Sequence, residues 1–145
     1  MKGTAKLWCR AWEVHRQRGH DMKSNCTELR EGWAHERTAA RAARRRADVE
    51  GEWRHLERAH VLSQPMAAPH LRTHVAMLGY GLRHRNAREI VGQLVRLVVA
   101  APGTWTGRYP AGNTGGANVS ALKTMPIPDD LQAVLNGVVI APARR

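Results

Sequence analysis

The chain has 145 residues and a formal net charge of +11, with 23 Lys and Arg against 12 Asp and Glu. That length fits one domain with a sizeable core, and Gln93 and Arg96 break the longest apolar segment well short of the roughly 20 residues a membrane span needs. The charge alone does not point to nucleic acid, because 19 of the basic residues are Arg, scattered except for a cluster at Arg41 to Arg46, in a chain without Phe and rich in Ala, Gly and Val. A GC-rich coding sequence produces that skew, and a charge run is usually a solvated face.

Residues 1–21 mix Trp8, Trp12, Arg16, Arg18 and His20 without a clean period, so they read as a leader that precedes a natural start at Met22, or as a short N-terminal helix. Nothing in them has the form of a secretory signal, Arg10 interrupting the one apolar stretch. Cys9 and Cys26 form neither a CxxC motif nor a disulfide framework. A reduced, cytoplasmic setting is the simplest expectation.

From Thr27 to Ala47 an Ala- and Arg-rich helix is predicted, with Leu29, Trp33, Ala40, Ala43 and Ala47 on one stripe. Asp48 reads as the N-cap of a second helix reaching about Leu62. The turn signal Ser63-Gln64-Pro65 leads to a third helix from about Pro69 to Arg83, proline suiting a first turn. Asn86 with Glu89 resembles a capping box, opening a fourth helix that should stop at Pro102-Gly103. Residues 103–128 are rich in Gly and Pro and predict an irregular arm, with Gly112 to Ser120 as a compact loop folded across the helices. In that loop Asn113 and Asn118 are candidates to cover a histidine site. Asp129 and Asp130 then begin a short helix to about Leu135, Gly137 is its stop, and 138–145 form a loose tail.

A weak internal repeat relates the helices at an offset of 38 residues. Arg45 falls on Arg83, Asp48 on Asn86, Trp53 on Val91, Leu56 on Leu94 and Arg58 on Arg96. Two stacked, tetratricopeptide-like helical hairpins are the expected architecture, all-α, with 22–137 as the single domain.

The chemistry lies in Glu57 and His60, followed by His70 and His74. Residues three or four apart share a helix face, so each pair can aim two ligand atoms at one point, and antiparallel helices would bring the pairs together. Three imidazoles and a carboxylate suit a transition metal such as Zn, Fe, Ni or Cu. Under the repeat Glu57 and His60 fall on Val95 and Val98, which predicts that they face a core and need partners. His70 and His74 fall on Gly32 and Glu36, making Glu36 a reserve ligand. The same four residues also support a metal-free polar network tying the hairpins together, or acid–base use of a Glu–His pair. Glu52 and His55 repeat the Glu-x-x-His spacing on the same helix, which does not make a di-metal centre. His35, His55 and His84 are expected on solvated faces, and Met66 and Met77 in the core.

The segments His55 to Leu62, Pro69 to His74, Gly112 to Ala121 and Pro126-Ile127-Pro128 with Asp130-Leu131 together resemble a small bacterial family of unknown function, over about residues 28–135. The resemblance implies the extent of the domain and a cytosolic setting, and supplies no reaction, ligand or partner. Two readings follow from the residues: a small metal-binding protein using Glu57, His60, His70 and His74, or a helical-repeat interaction module whose Arg-rich surface meets an acidic protein partner.

Overall fold

The computed structural model describes residues 22–105 and 110–136; the leader at 1–21, the stop at Gly137 and the tail at 138–145 lie outside them. Five helices and no strands are found among the described residues: α1 (Met22–Arg45), α2 (Val49–Ser63), α3 (Ala67–Arg83), α4 (Ala87–Trp105) and α5 (Asp129–Leu135). α1 pairs with α2 and α3 with α4, the two hairpins meet through α2 and α3, and α5 closes over α1 and α2. No described helix is long and apolar enough to cross a membrane.

The hairpin turns carry the repeat in their hydrogen bonds. Asp48 caps α2 by accepting from the Gly51 N–H at 2.8 Å, and Asn86 caps α4 by accepting from the Glu89 N–H at 3.1 Å. Before each cap one non-glycine residue takes a left-handed backbone, Ala47 at φ 56° and Arg85 at φ 52°. The Asp48 N–H reaches the Ala43 carbonyl as the Asn86 N–H reaches that of Gly81, at 3.0 and 2.9 Å. Each of these pairs is offset by 38 residues, so the faint sequence match corresponds to one turn built twice.

Small residues let α1 and α2 approach closely. Ala40, Ala43 and Ala59 are buried, and Ala40 joins Leu56 and Met77 in one core cluster against Trp53, Ala76 and Tyr80. Leu29, Val61, Leu62, Met66 and Leu131 form the second, which docks α5. Between hairpins the Trp33 indole donates to the Thr73 hydroxyl at 2.9 Å. Arg58 links Glu36 of α1 to Asp130 of α5.

Two expectations need correction. Ala47 is exposed and lies outside the stripe, because its left-handed backbone ends the helix before it. The fourth helix does not stop at Pro102-Gly103 but runs through both to Trp105. A proline forfeits one helical hydrogen bond, and in the final turn that loss does not break the helix.

Candidate metal centre

The three histidines come from both hairpins. His60 sits in the last turn of α2, and Ser63 to Met66 make the turn that leads into α3. His70 and His74 lie one turn apart on the buried face of α3. All three are buried, at 4, 6 and 2 % exposure. Their Nε2 atoms face one another: His60 to His70 at 2.9 Å, His70 to His74 at 3.2 Å and His60 to His74 at 3.3 Å.

The outer nitrogens determine what those Nε2 atoms are. His60 Nδ1 lies 2.7 Å from the Asn113 backbone carbonyl, which only accepts, so Nδ1 carries the proton. His74 Nδ1 lies 2.7 Å from Gln93 Oε1. The Gln93 amide is oriented by its own NH2 group, which donates to Glu89 Oε1 at 2.6 Å and to the Gly115 carbonyl at 2.8 Å. His74 Nδ1 is therefore also the donor, because the Gln93 oxygen that faces it can only accept. In the neutral rings, His60 and His74 then direct two bare lone pairs at each other across 3.3 Å.

Burial keeps the rings neutral. It pushes His60 well below the usual imidazole range, with the His70 and His74 rings adding to the effect. Burial, then His74, brings His70 down to about 3. Burial also brings His74 to about 4, opposed by the Gln93 hydrogen bond and reinforced by Arg96. Neutral imidazole is the form that ligates metals.

The geometry passes a fit test for one ion. Nitrogens bonded at about 2.0–2.1 Å to a tetrahedral ion stand roughly 3.3 Å apart. The observed 2.9–3.3 Å separations place a common point within bonding reach of all three. Among the described residues these histidines form the group able to hold a metal ion, with ligand atoms all within 4.8 Å of one another.

Glu57 is outside that group. Three residues along a helix amount to a turn of about 300°, leaving it about 60° round from His60. It is half-buried beneath the arm, where a Cβ on Gly116 would lie 3.6 Å from its Oε1. Burial raises its carboxyl pKa, with the Thr114 hydroxyl and the Trp53 side chain opposing and Glu89 adding to the rise. Glu36 is committed elsewhere, binding His55 at 2.7 Å and Arg58 at 2.8 Å. The reserve-ligand expectation therefore fails: an ion pair with Arg58 occupies that carboxylate. His55 is correspondingly only half-exposed, whereas His35 and His84 are exposed as expected and Met66 and Met77 are buried.

The Gly-rich arm roofs the site. Gly112 and Gly115 take φ of +73° and +81°, which other residues rarely adopt. Gln64 anchors the start of the roof, donating to the Pro110 carbonyl at 2.7 Å and accepting from the Gly112 N–H at 3.2 Å. The Glu89 carboxylate accepts from the Ala117 N–H at 3.0 Å instead of closing the expected capping box, and Arg96 donates to the Val119 carbonyl. Sequence reasoning missed Gln93 and Glu89 as supports. The signal that could have found the first is a lone amide, Gln93, in the middle of an apolar helix.

Fold and site thus define a small all-α protein with a three-histidine cluster at the junction of two helical hairpins. The chain belongs to the family described as a protein of unknown function, DUF3703, whose model matches residues 27–135. Comparison with curated proteins and with solved structures gives no match.

Proposed function

We propose that this protein binds one transition-metal ion through the Nε2 atoms of His60, His70 and His74. The observation that carries the reading is the convergence of three buried Nε2 atoms, two of them held unprotonated by the Asn113 carbonyl and by Gln93. Neutral imidazoles suit Zn, Fe, Ni or Cu. Three protein ligands leave a further coordination position, where a bound ion would act as a Lewis acid or hold water. Glu57, half-buried beneath the same Gly-rich roof, is the candidate outer partner of that position.

Elemental analysis of protein purified without a histidine tag tests this directly. One ion per chain is expected, and His60→Ala and His74→Ala should each abolish it while circular dichroism shows the helices intact. Metal-free protein that takes up none, either on prolonged titration or when refolded with the metal present, would overturn the reading.

One observation favours a metal-free alternative. The shortest separation, His70 to His60 at 2.9 Å, is a hydrogen-bond distance for a proton on His70 Nε2. The cluster is then a structural network in an interaction module whose exposed Arg41, Arg44, Arg45 and Arg46 meet an acidic protein. In that case chelators leave the melting temperature unchanged, and reversing those charges abolishes partner binding.

A further inference from the structure

The three imidazoles bring no charge to an ion, so the charged groups around them decide which ion they can hold. Among the described residues the buried charged side chains, histidine apart, are Glu36, Glu52, Glu89 and Arg96. Glu36 and Glu52 are neutralised by Arg58 and Arg83. Glu89 and Arg96 remain, both on α4 and of opposite sign. Glu89 holds the Gln93 amide that touches His74. Arg96, one turn beyond Gln93, acts on the cluster as a positive charge, disfavouring protons on His60 and His74. Glu57, half-buried beneath the roof, can add one negative charge, which its burial opposes.

The main chain of the roof supplies nothing further at Gly115. Its carbonyl accepts from the Gln93 amide and its N–H donates to Asn113 Oδ1, so its Cα side lies against the His60 ring. The cost of taking an ion out of water grows as the square of its charge, so a dication costs about four times as much as a monocation of equal size. With neutral ligands and an offsetting Glu89–Arg96 pair, a dication keeps its double charge, or a single one once Glu57 ionises. It would have to bring hydroxide or another anion with it beneath Gly115. A monocation is neutralised by Glu57 alone and needs no such companion.

Sodium and potassium ions seek oxygen ligands, whereas copper accepts imidazole. Its monovalent form is stable with three nitrogen ligands and leaves the further position open. On the metal-binding reading above, we infer that the site of His60, His70 and His74 selects Cu(I) over divalent ions such as Zn(II).

The full chain, with Cys9 and Cys26 changed to Ser so that no thiol competes, is refolded without oxygen in the presence of each ion. Competition with bicinchoninate reads the Cu(I) affinity, and competition with a chromophoric zinc chelator reads that of Zn(II). One Cu(I) per chain is expected, and one equivalent should displace bound Zn(II). Arg96→Gln removes a positive charge, and Coulomb energy is proportional to the charge of the ion. The fold-gain for Zn(II) should therefore be the square of that for Cu(I), about 100-fold beside about tenfold. Arg96→Lys should leave the ratio of the two affinities unchanged. A loosened roof would move both ions alike, so the ratio reads the charge. Zn(II) retained against an equivalent of Cu(I), or a ratio indifferent to Arg96→Gln, would overturn the inference and leave the metal site standing. Uptake of neither ion, the behaviour expected of His60→Ala, would overturn both.

Discussion

Gly115 lies against the His60 ring so closely that a Cβ on it would stand 2.5 Å from Cδ2 and 2.7 Å from Nε2. Backbone and ring are thus in contact across the roof of the site, and the absent side chain is what lets the arm close. Its φ of +81° adds a second requirement for glycine. Gly115→Ala should cost about 2–4 kcal/mol of stability, from overpacking and from strain in the left-handed backbone. Metal affinity should fall with it, because His60 must turn. A variant with unchanged urea midpoint and metal affinity would show that the arm does not seat on the ring.

Gln93 is fully buried and touches His74, Glu89 and Gly115. Gln93→Leu keeps the volume but removes the acceptor that fixes the His74 tautomer. About a 10–100-fold loss of metal affinity is expected, with about 1–3 kcal/mol of destabilisation from the stranded polar groups. Competition titration with a chromophoric chelator measures the first and denaturant unfolding the second. Equal affinity in the two proteins would remove Gln93 from the site's support.

Acid should destabilise the metal-free protein early. His70 and His74 titrate near 3 and 4 in the fold but near 6.5 when unfolded. The unfolded chain therefore binds more protons between those values, and folding stability falls as pH drops below about 6.5, levelling off only below the folded values. Several kcal/mol are at stake, since each tenfold loss of proton affinity on folding corresponds to about 1.4 kcal/mol. Unfolding free energies measured in chelator at pH 7.5 and pH 5 should differ in that direction. His74→Gln should flatten the slope, and an unchanged slope would mean the rings are not held neutral by burial.

The two turns offer a matched test of the repeat. Ala47→Gly and Arg85→Gly should each stabilise the protein by about 0.5–1 kcal/mol, because a left-handed backbone is strained for any residue with a Cβ. Asp48→Ala and Asn86→Ala should each lose about 1 kcal/mol with the cap. Thermal melts of the four variants should fall into two like-behaving pairs. Loss of stability in either glycine variant would contradict the turn geometry.

The helices were legible because their ends carry chemistry that acts locally. Asp48 and Asn86 cap where their side chains predict, and Asp129 and Asp130 open α5 at the expected residue. The inward direction of His60 was also readable, although not for the reason the repeat supplies: its counterpart Val98 faces outward. What the sequence hid is long-range. Glu36 could not be removed from the ligand set without knowing that Arg58 and His55 fold against it. The partner of His60 could not be read from any side chain, because it is a main-chain carbonyl that almost any residue at position 113 could offer.

The bonds around His60 differ widely in sequence range. His70 lies 10 residues away, while the Asn113 carbonyl lies 53 residues away. Closing a short loop is faster and less costly in entropy than closing a long one. The nascent α2–α3 corner can therefore assemble all three imidazoles before the arm has found its seat, leaving the donor atoms open to solvent in the interval. Once Gly115 settles on the ring, the way in is shut. Loading would belong to the folding event and unloading to its partial reversal, so an ion offered to the finished protein should enter far more slowly than one present during refolding.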